Sequence, residues 1–138
     1  MKNQISIKDI SKKLKHIFPQ VADKYEIISL KSNYSEVKLL SNNKNLRPGN
    51  TISGPSMFEL ADLSFYIAIM ASTDLGEKSV TTNVSINFIK KPLLSNLLGI
   101  SQIKKIGKRL VVGDVEILSE DKKEIYAQAL FTYSIPRN

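Results

Sequence analysis

"NTISGPSMFELADLSFYIAIMA", residues 50–71, decides the fold. After Ser53-Gly54-Pro55 it reads as one long helix, from about Pro55 to Thr73. Pro55 suits the first helical position, where its missing N–H costs nothing. The segment is apolar on nearly every side, the mark of a helix built for burial. Yet Glu59 and Asp62 sit in its first two turns, three residues apart. On a wheel of 100° per residue they share one side with Tyr66, within about 60°. The same side continues as Ile69 and Met70, so the polar stripe is local to the start of the helix.

Two readings of the acids stand. They form a solvent stripe that also interacts with the helix dipole, worth roughly 0.3–1 kcal/mol. Or a carboxylate beside exposed helix N–H groups serves acyl chemistry. The N–H groups would then stabilise an oxyanion, and the acid would act as base or nucleophile.

Outward from this helix the pattern changes. Ser6-Ile7-Lys8-Asp9 fits a capping-box variant, and Ile7, Ile10, Leu14 and Ile17 recur at helical spacing until Pro19. That predicts a short amphipathic helix carrying the sole histidine, His16, in an incidental role. Residues 24–30 and 35–40 read as strands joined by a turn, followed by the loop "SNNKNLRPGN". Residues 79–89 alternate, with Val80, Thr82, Val84, Ile86 and Phe88 on one face and Thr81, Asn83, Ser85 and Asn87 on the other. Residues 97–106, 110–118 and 125–135 supply three more strands, the last two joined by "SEDKKE". Helix, two strands, long helix and four strands make one mostly antiparallel sheet with the helix across one face. The helix is apolar beyond the face a sheet can cover, so a partner subunit is expected to cover the rest.

Composition bounds the function. The 138 residues, 42% hydrophobic and 24% charged, suit one globular domain. There is no cysteine, which excludes disulfides, thiolate metal sites and cysteine nucleophiles. No apolar run approaches the ~20 residues of a membrane span, and the first residues lack the apolar core of a secretory signal. A cytoplasmic protein is expected. The net charge of +7 comes from 17 lysines and 3 arginines scattered over the chain. Nucleic-acid sites lean on Arg forks and aromatic platforms, so we read this as a solvated basic surface or one suited to an anionic small ligand.

Three stretches carry a resemblance: "RPGNTISGPSMFELADLSFYIAIMA", "VTTNVSINFIKKPL" and "GKRLVVGDVEILSEDKKEIYAQALFTYSI". Their landmarks are a glycine at the helix start, an acid eight residues later, and a strand ending in Lys-Pro. Together they resemble the hotdog-fold thioesterases of the phenylacetate-pathway (PaaI-like) type, from about Leu46 to Ile135. The resemblance implies an α+β hotdog fold, an antiparallel sheet wrapped around a long central helix, in a single domain over residues 1–138. Residues 1–19 would add an N-terminal helix to a core over 24–138. It further implies acyl-CoA hydrolysis at a subunit interface of a homodimer or homotetramer, with no metal or other cofactor, no nucleic acid and no membrane.

Residue by residue, the resemblance makes Asp62 the catalytic carboxylate and Gly54 the backbone donor to the thioester carbonyl. Thr82 matches the hydroxyl contributed by the neighbouring subunit. Ser53, Asn50, Glu59, Pro92 and the cations Lys90, Lys91, Lys108 and Arg109 fall where substrate is bound. Those four cations are ligands of the CoA phosphates or merely solvated charge. Glu59 couples to Asp62 as a like charge or is solvated. The chain departs from the family in carrying Ser53-Gly54-Pro55 for His-Gly-Gly. Arg47 stands where Asn or Gln is common, with Asn50 close but out of register. A non-catalytic acyl-CoA-binding hotdog module is the alternative. A hydratase or a Ser-His-Asp hydrolase is disfavoured because His16 lies outside the matching region and no Gly-x-Ser-x-Gly is present.

Overall fold

The computed structural model describes residues 6–136. Ser6 caps the first helix, its Oγ accepting from Asp9 N at 3.1 Å. That helix, α1 (Ile7–Ile17), buries Ile10 and Leu14. Pro19 ends it as expected, and also opens a second short helix, α2 (Pro19–Ala22), because proline fits a first helical turn. A hairpin of β1 (Tyr25–Lys31) and β2 (Tyr34–Leu39) follows. The loop after it holds two very short strands, β3 (Leu46–Arg47) and β4 (Thr51–Ile52), that its polar composition does not reveal. Then come the long helix α3 (Gly54–Ser72) and four strands: β5 (Val80–Phe88), β6 (Leu97–Ile106), β7 (Leu110–Ser119) and β8 (Ile125–Ser134). The six long strands and two long helices lie within about one residue of their expected bounds.

The six long strands form one sheet in the order β1-β2-β6-β7-β8-β5, every neighbour antiparallel. α3 packs against all six. This is the hotdog architecture the resemblance implies. Two glycines let the helix lie close to the sheet. A Cβ on Gly99 would fall 2.3 Å from Ser64 Oγ, and one on Gly113 would fall 2.7 Å from the Phe65 ring. Around Gly113, Phe65, Phe131 and Tyr133 pack their rings at centroid distances of 5.3–6.2 Å.

Two expectations need correction. No partner subunit is required to cover α3. Leu63, Tyr66, Ile67 and Met70 are already buried within one chain, because α1 and Phe18 pack against the helix in addition to the six strands. The even alternation of residues 79–89 is also broken. Pairing with β8 slips between Thr81 and Asn83, so Thr82 is the extra residue of a bulge. Only Val84 and Ile86 of the expected inner face pack on the core. Val80 and Phe88 are 58% and 52% exposed.

Candidate active site

The start of α3 is built by its loop. Ser53 is the N-cap, its Oγ accepting from Ser56 N at 3.2 Å and donating to Ser56 Oγ at 3.0 Å. Asn45 anchors the same turn. Its carbonyl accepts from Ser53 N at 2.8 Å, and its Nδ2 donates to Ser56 Oγ at 3.1 Å. Asn50 does not reach this point. It sits exposed in the β3–β4 turn, its left-handed φ of 62° suited to asparagine, with its N–H on Arg47 O. Asn45 is thus the polar side chain at the helix start, one that sequence spacing missed. Ser53 caps the Ser56 N–H and Pro55 has no N–H, so Gly54 carries the remaining N–H of the first turn. A Cβ on Gly54 would lie 3.3 Å from the Phe88 ring.

Asp62 lies two turns further on. Its Oδ1 accepts from Thr81 Oγ1 and from Tyr133 OH, both at 2.6 Å. Tyr133 OH is also 3.0 Å from Asp62 O. Both donors converge on Oδ1, and Oδ2 takes part in neither bond. Burial, then the Asp62 charge and hydrogen bond, push the Tyr133 phenol far above its usual range, so it stays a donor. Thr81, not Thr82, therefore touches the carboxylate of its own chain. Thr82 Oγ1 donates to Thr132 O at 3.0 Å.

Glu59, one turn before Asp62, accepts from Tyr25 OH at 2.5 Å and has Lys24 Nζ at 4.0 Å. Burial and then Glu59 raise the Tyr25 phenol in the same way. Glu59, Asp62 and Tyr66 line one pocket of about 490 Å3, together with Phe18, Leu63 and Tyr133. The shared face read from the helical wheel is a real cavity wall.

The basic residues do not converge within one chain. Lys90 pairs with Glu124 at 2.9 Å, and Pro92 O accepts from Ile52 N at 2.8 Å, which ties Lys90, Lys91 and Pro92 to the Gly54 end. Lys108 and Arg109 lie in the β6–β7 turn, beside Leu110, Ser134 and Val80 at the Thr81 end. Among the described residues no cluster of three or more His, Cys, Asp or Glu could hold a metal ion. No helix among them is long and apolar enough to cross a membrane.

The thioesterase superfamily profile matches residues 49–126, from the turn before α3 into β8. A solved protein of Silicibacter sp. TM1040, described as a candidate thioesterase, is 37% identical over 99% of this chain and 95% of that one, with a TM-score of 0.87. A Streptococcus mutans UA159 protein solved bound to acetyl CoA is 23% identical, covering 83% of this chain and 91% of that one, at TM-score 0.74. Escherichia coli PaaI, from the phenylacetic acid degradation operon, is 19% identical over 95% and 96% of the two chains, at TM-score 0.77. The last two likenesses speak to fold alone. No curated protein matches the sequence significantly.

Proposed function

The chain belongs to the thioesterase superfamily, and on that premise we propose that it hydrolyses acyl-CoA thioesters at a site shared by two copies of itself. The observation that carries this reading is Asp62, an acid held by two neutral hydroxyls in a pocket beside the sheet edge. A carboxylate so held keeps its orientation.

Helix geometry argues for the second copy. Gly54 and Asp62 are eight residues apart, roughly 12 Å along the axis, so one helix cannot present both to one carbonyl. β5 ends the sheet, and one of its edges is unpaired within the chain. A nine-residue edge with exposed Val80, Phe88 and Ile89 invites another strand. Two β5 strands paired antiparallel about a two-fold axis set the Phe88 end of one against the Thr81 end of the other. That arrangement brings Gly54 of one copy toward Asp62 of the other. It also brings Lys90 and Lys91 toward the other copy's Lys108 and Arg109, giving the CoA phosphates a cluster no single chain offers.

In this site the Gly54 N–H donates to the carbonyl oxygen as negative charge grows on it. Asp62 Oδ2 either takes a proton from water that attacks the carbonyl carbon, or attacks that carbon itself. In the first route the C–S bond breaks, the CoA thiolate takes the proton that Asp62 removed from water, and the acid is released. In the second the departing thiolate leaves an acyl-aspartyl anhydride, which water then hydrolyses to the free acid and Asp62, with a proton from water going to the thiolate. Label found in Asp62 after single turnover in heavy-oxygen water would establish the second route, since it arises only when water opens the anhydride at the Asp62 carboxyl carbon.

The test is a panel of acyl-CoAs followed with a thiol-detecting reagent, alongside light scattering. Turnover by a dimer or larger assembly is the expected result. A monomer at micromolar concentration would overturn the shared site. No turnover, with CoA still raising the melting temperature, would favour the non-catalytic binding module, for which the Ser53-Gly54-Pro55 start speaks.

A further inference from the structure

The pocket beside Asp62 is closed by a part of the chain outside the superfamily match. Along α3 and the sheet its apolar walls are Leu63, Tyr66, Val80 and Tyr133. At the far side stand Phe18 and Val21, from the junction of α1 and α2. Local chemistry places them there. Pro19 has no N–H to continue α1, so Phe18 closes that helix at φ −133° and ψ 61°, its own N–H on Leu14 O at 2.7 Å. The chain turns at this point, and the Phe18 ring meets Tyr66 edge-on, 5.9 Å between centroids at 82°. Tyr66 is itself fixed, its hydroxyl donating to Glu77 O at 2.6 Å and its ring stacked on Tyr133. Phe18 remains 38% exposed. It walls a cavity where it could have filled the core.

We propose that this pocket receives the acyl chain of the thioester, and that Phe18 and Val21 set the length of chain accepted. The inference rests on the reading of Asp62 as the hydrolytic carboxylate. The acyl group that fits is an uncharged aliphatic chain of medium length. A volume of about 490 Å3 lies within the usual range of small-molecule sites, and an acetyl group would leave most of it unfilled. A long chain would run into Phe18 before it was buried. Three acids, Glu59, Asp62 and Glu77, line the pocket against one cation, Lys78, so an acyl group ending in a carboxylate meets a net like charge there.

The experiment is a chain-length series read in two ways. Turnover is followed with acyl-CoAs from acetyl to palmitoyl, and affinity with the matching S-alkyl-CoA thioethers, which cannot be hydrolysed. In wild type both readouts should strengthen by about fourfold per buried methylene and then level off at medium length. Phe18→Ala should carry the rise on to longer chains, and Val21→Phe should end it earlier. Succinyl-CoA should rank well below butyryl-CoA. If the plateau stays at the same length in wild type and both variants, Phe18 and Val21 do not gauge the chain, whatever becomes of Asp62. If thioether affinity follows the variants as described but no acyl-CoA is hydrolysed, the pocket assignment holds and the hydrolytic reading of Asp62 falls.

Discussion

Glu59 and Asp62 stand one turn apart on one face of α3, and a buried tyrosine donates to each: Tyr25 at 2.5 Å and Tyr133 at 2.6 Å. There the likeness stops. The Glu59 side chain is 46% exposed and shares its charge with Lys24 in a loose ion pair, a kind that contributes only about 0–1 kcal/mol. Asp62 takes a second neutral donor, Thr81, and among the described residues no ion pair includes it. A cation beside a carboxylate neutralises it. Hydroxyls orient it without a countercharge. Two acids alike in sequence setting are thus made unlike by what the sheet brings to them.

The largest expected effect separates the two acids directly. Asp62→Asn should lower acyl-CoA hydrolysis by roughly 10²–10⁴-fold while acyl-CoA binding and assembly survive. Glu59→Gln should cost well under a hundredfold, the smallest effect, roughly 10², expected of a lost acid–base group. Equal losses from both, measured on one substrate, would mean that they work as a coupled pair.

Next in size is the contrast between their tyrosines. Tyr133→Phe keeps the ring stack but removes one of the two donors on Oδ1. It should lower kcat by about tenfold, roughly 1.4 kcal/mol, with KM nearly constant. Tyr25→Phe should leave kcat within about twofold. A drop in KM matching the drop in kcat for Tyr133→Phe would break the orientation argument.

The same tyrosines set an alkaline limit to stability. Both are held above their usual range, chiefly by burial and then by their carboxylate partners. The unfolded chain releases these protons from about pH 10, while the folded chain keeps them. Stability is therefore intact below pH 10 and falls as pH rises beyond it, by up to about 1.4 kcal/mol per pH unit for each tyrosine. Urea unfolding at pH 10 to 11.5 should show this slope, and each Tyr→Phe variant should lose its share. A flat profile in wild type would show that neither phenol is held protonated by the fold.

The smallest effect concerns the cap. Ser53→Ala should cost roughly 0.5–2 kcal/mol of stability and leave turnover nearly intact. A large loss of kcat with an unchanged melting temperature would place the Ser53 hydroxyl in the chemistry instead.

The local geometry of α3 was legible in the sequence, and the contacts that were not share a cause. Ser53 as cap, Gly54 as the first-turn donor and Asp62 beside Glu59 and Tyr66 all follow from spacing along one helix. Thr81 and Tyr133 do not. Thr81 lies on the wrong face by simple alternation and reaches Asp62 only because of the bulge at Thr82. Tyr133 is 71 residues from Asp62. Its one signal was an inward position in a strand whose Ala127, Ala129 and Phe131 are buried, where a tyrosine must find a partner for its hydroxyl. Asn45 in place of Asn50 is a third instance, settled by the fold of the loop before α3.

By itself the sequence determined the order and bounds of the long elements, the buried character of α3 and the placing of an acid two turns into it. Those properties depend on residues within about four positions of one another, where periodicity and capping act. Tertiary structure alone decided which hydroxyls hold which acid, that the chain's own N-terminal helix completes the cover of α3, and that Phe18 closes the pocket. Such contacts depend on strand register and on where a proline turns the chain, and one extra residue in a strand is enough to turn Thr81 toward Asp62.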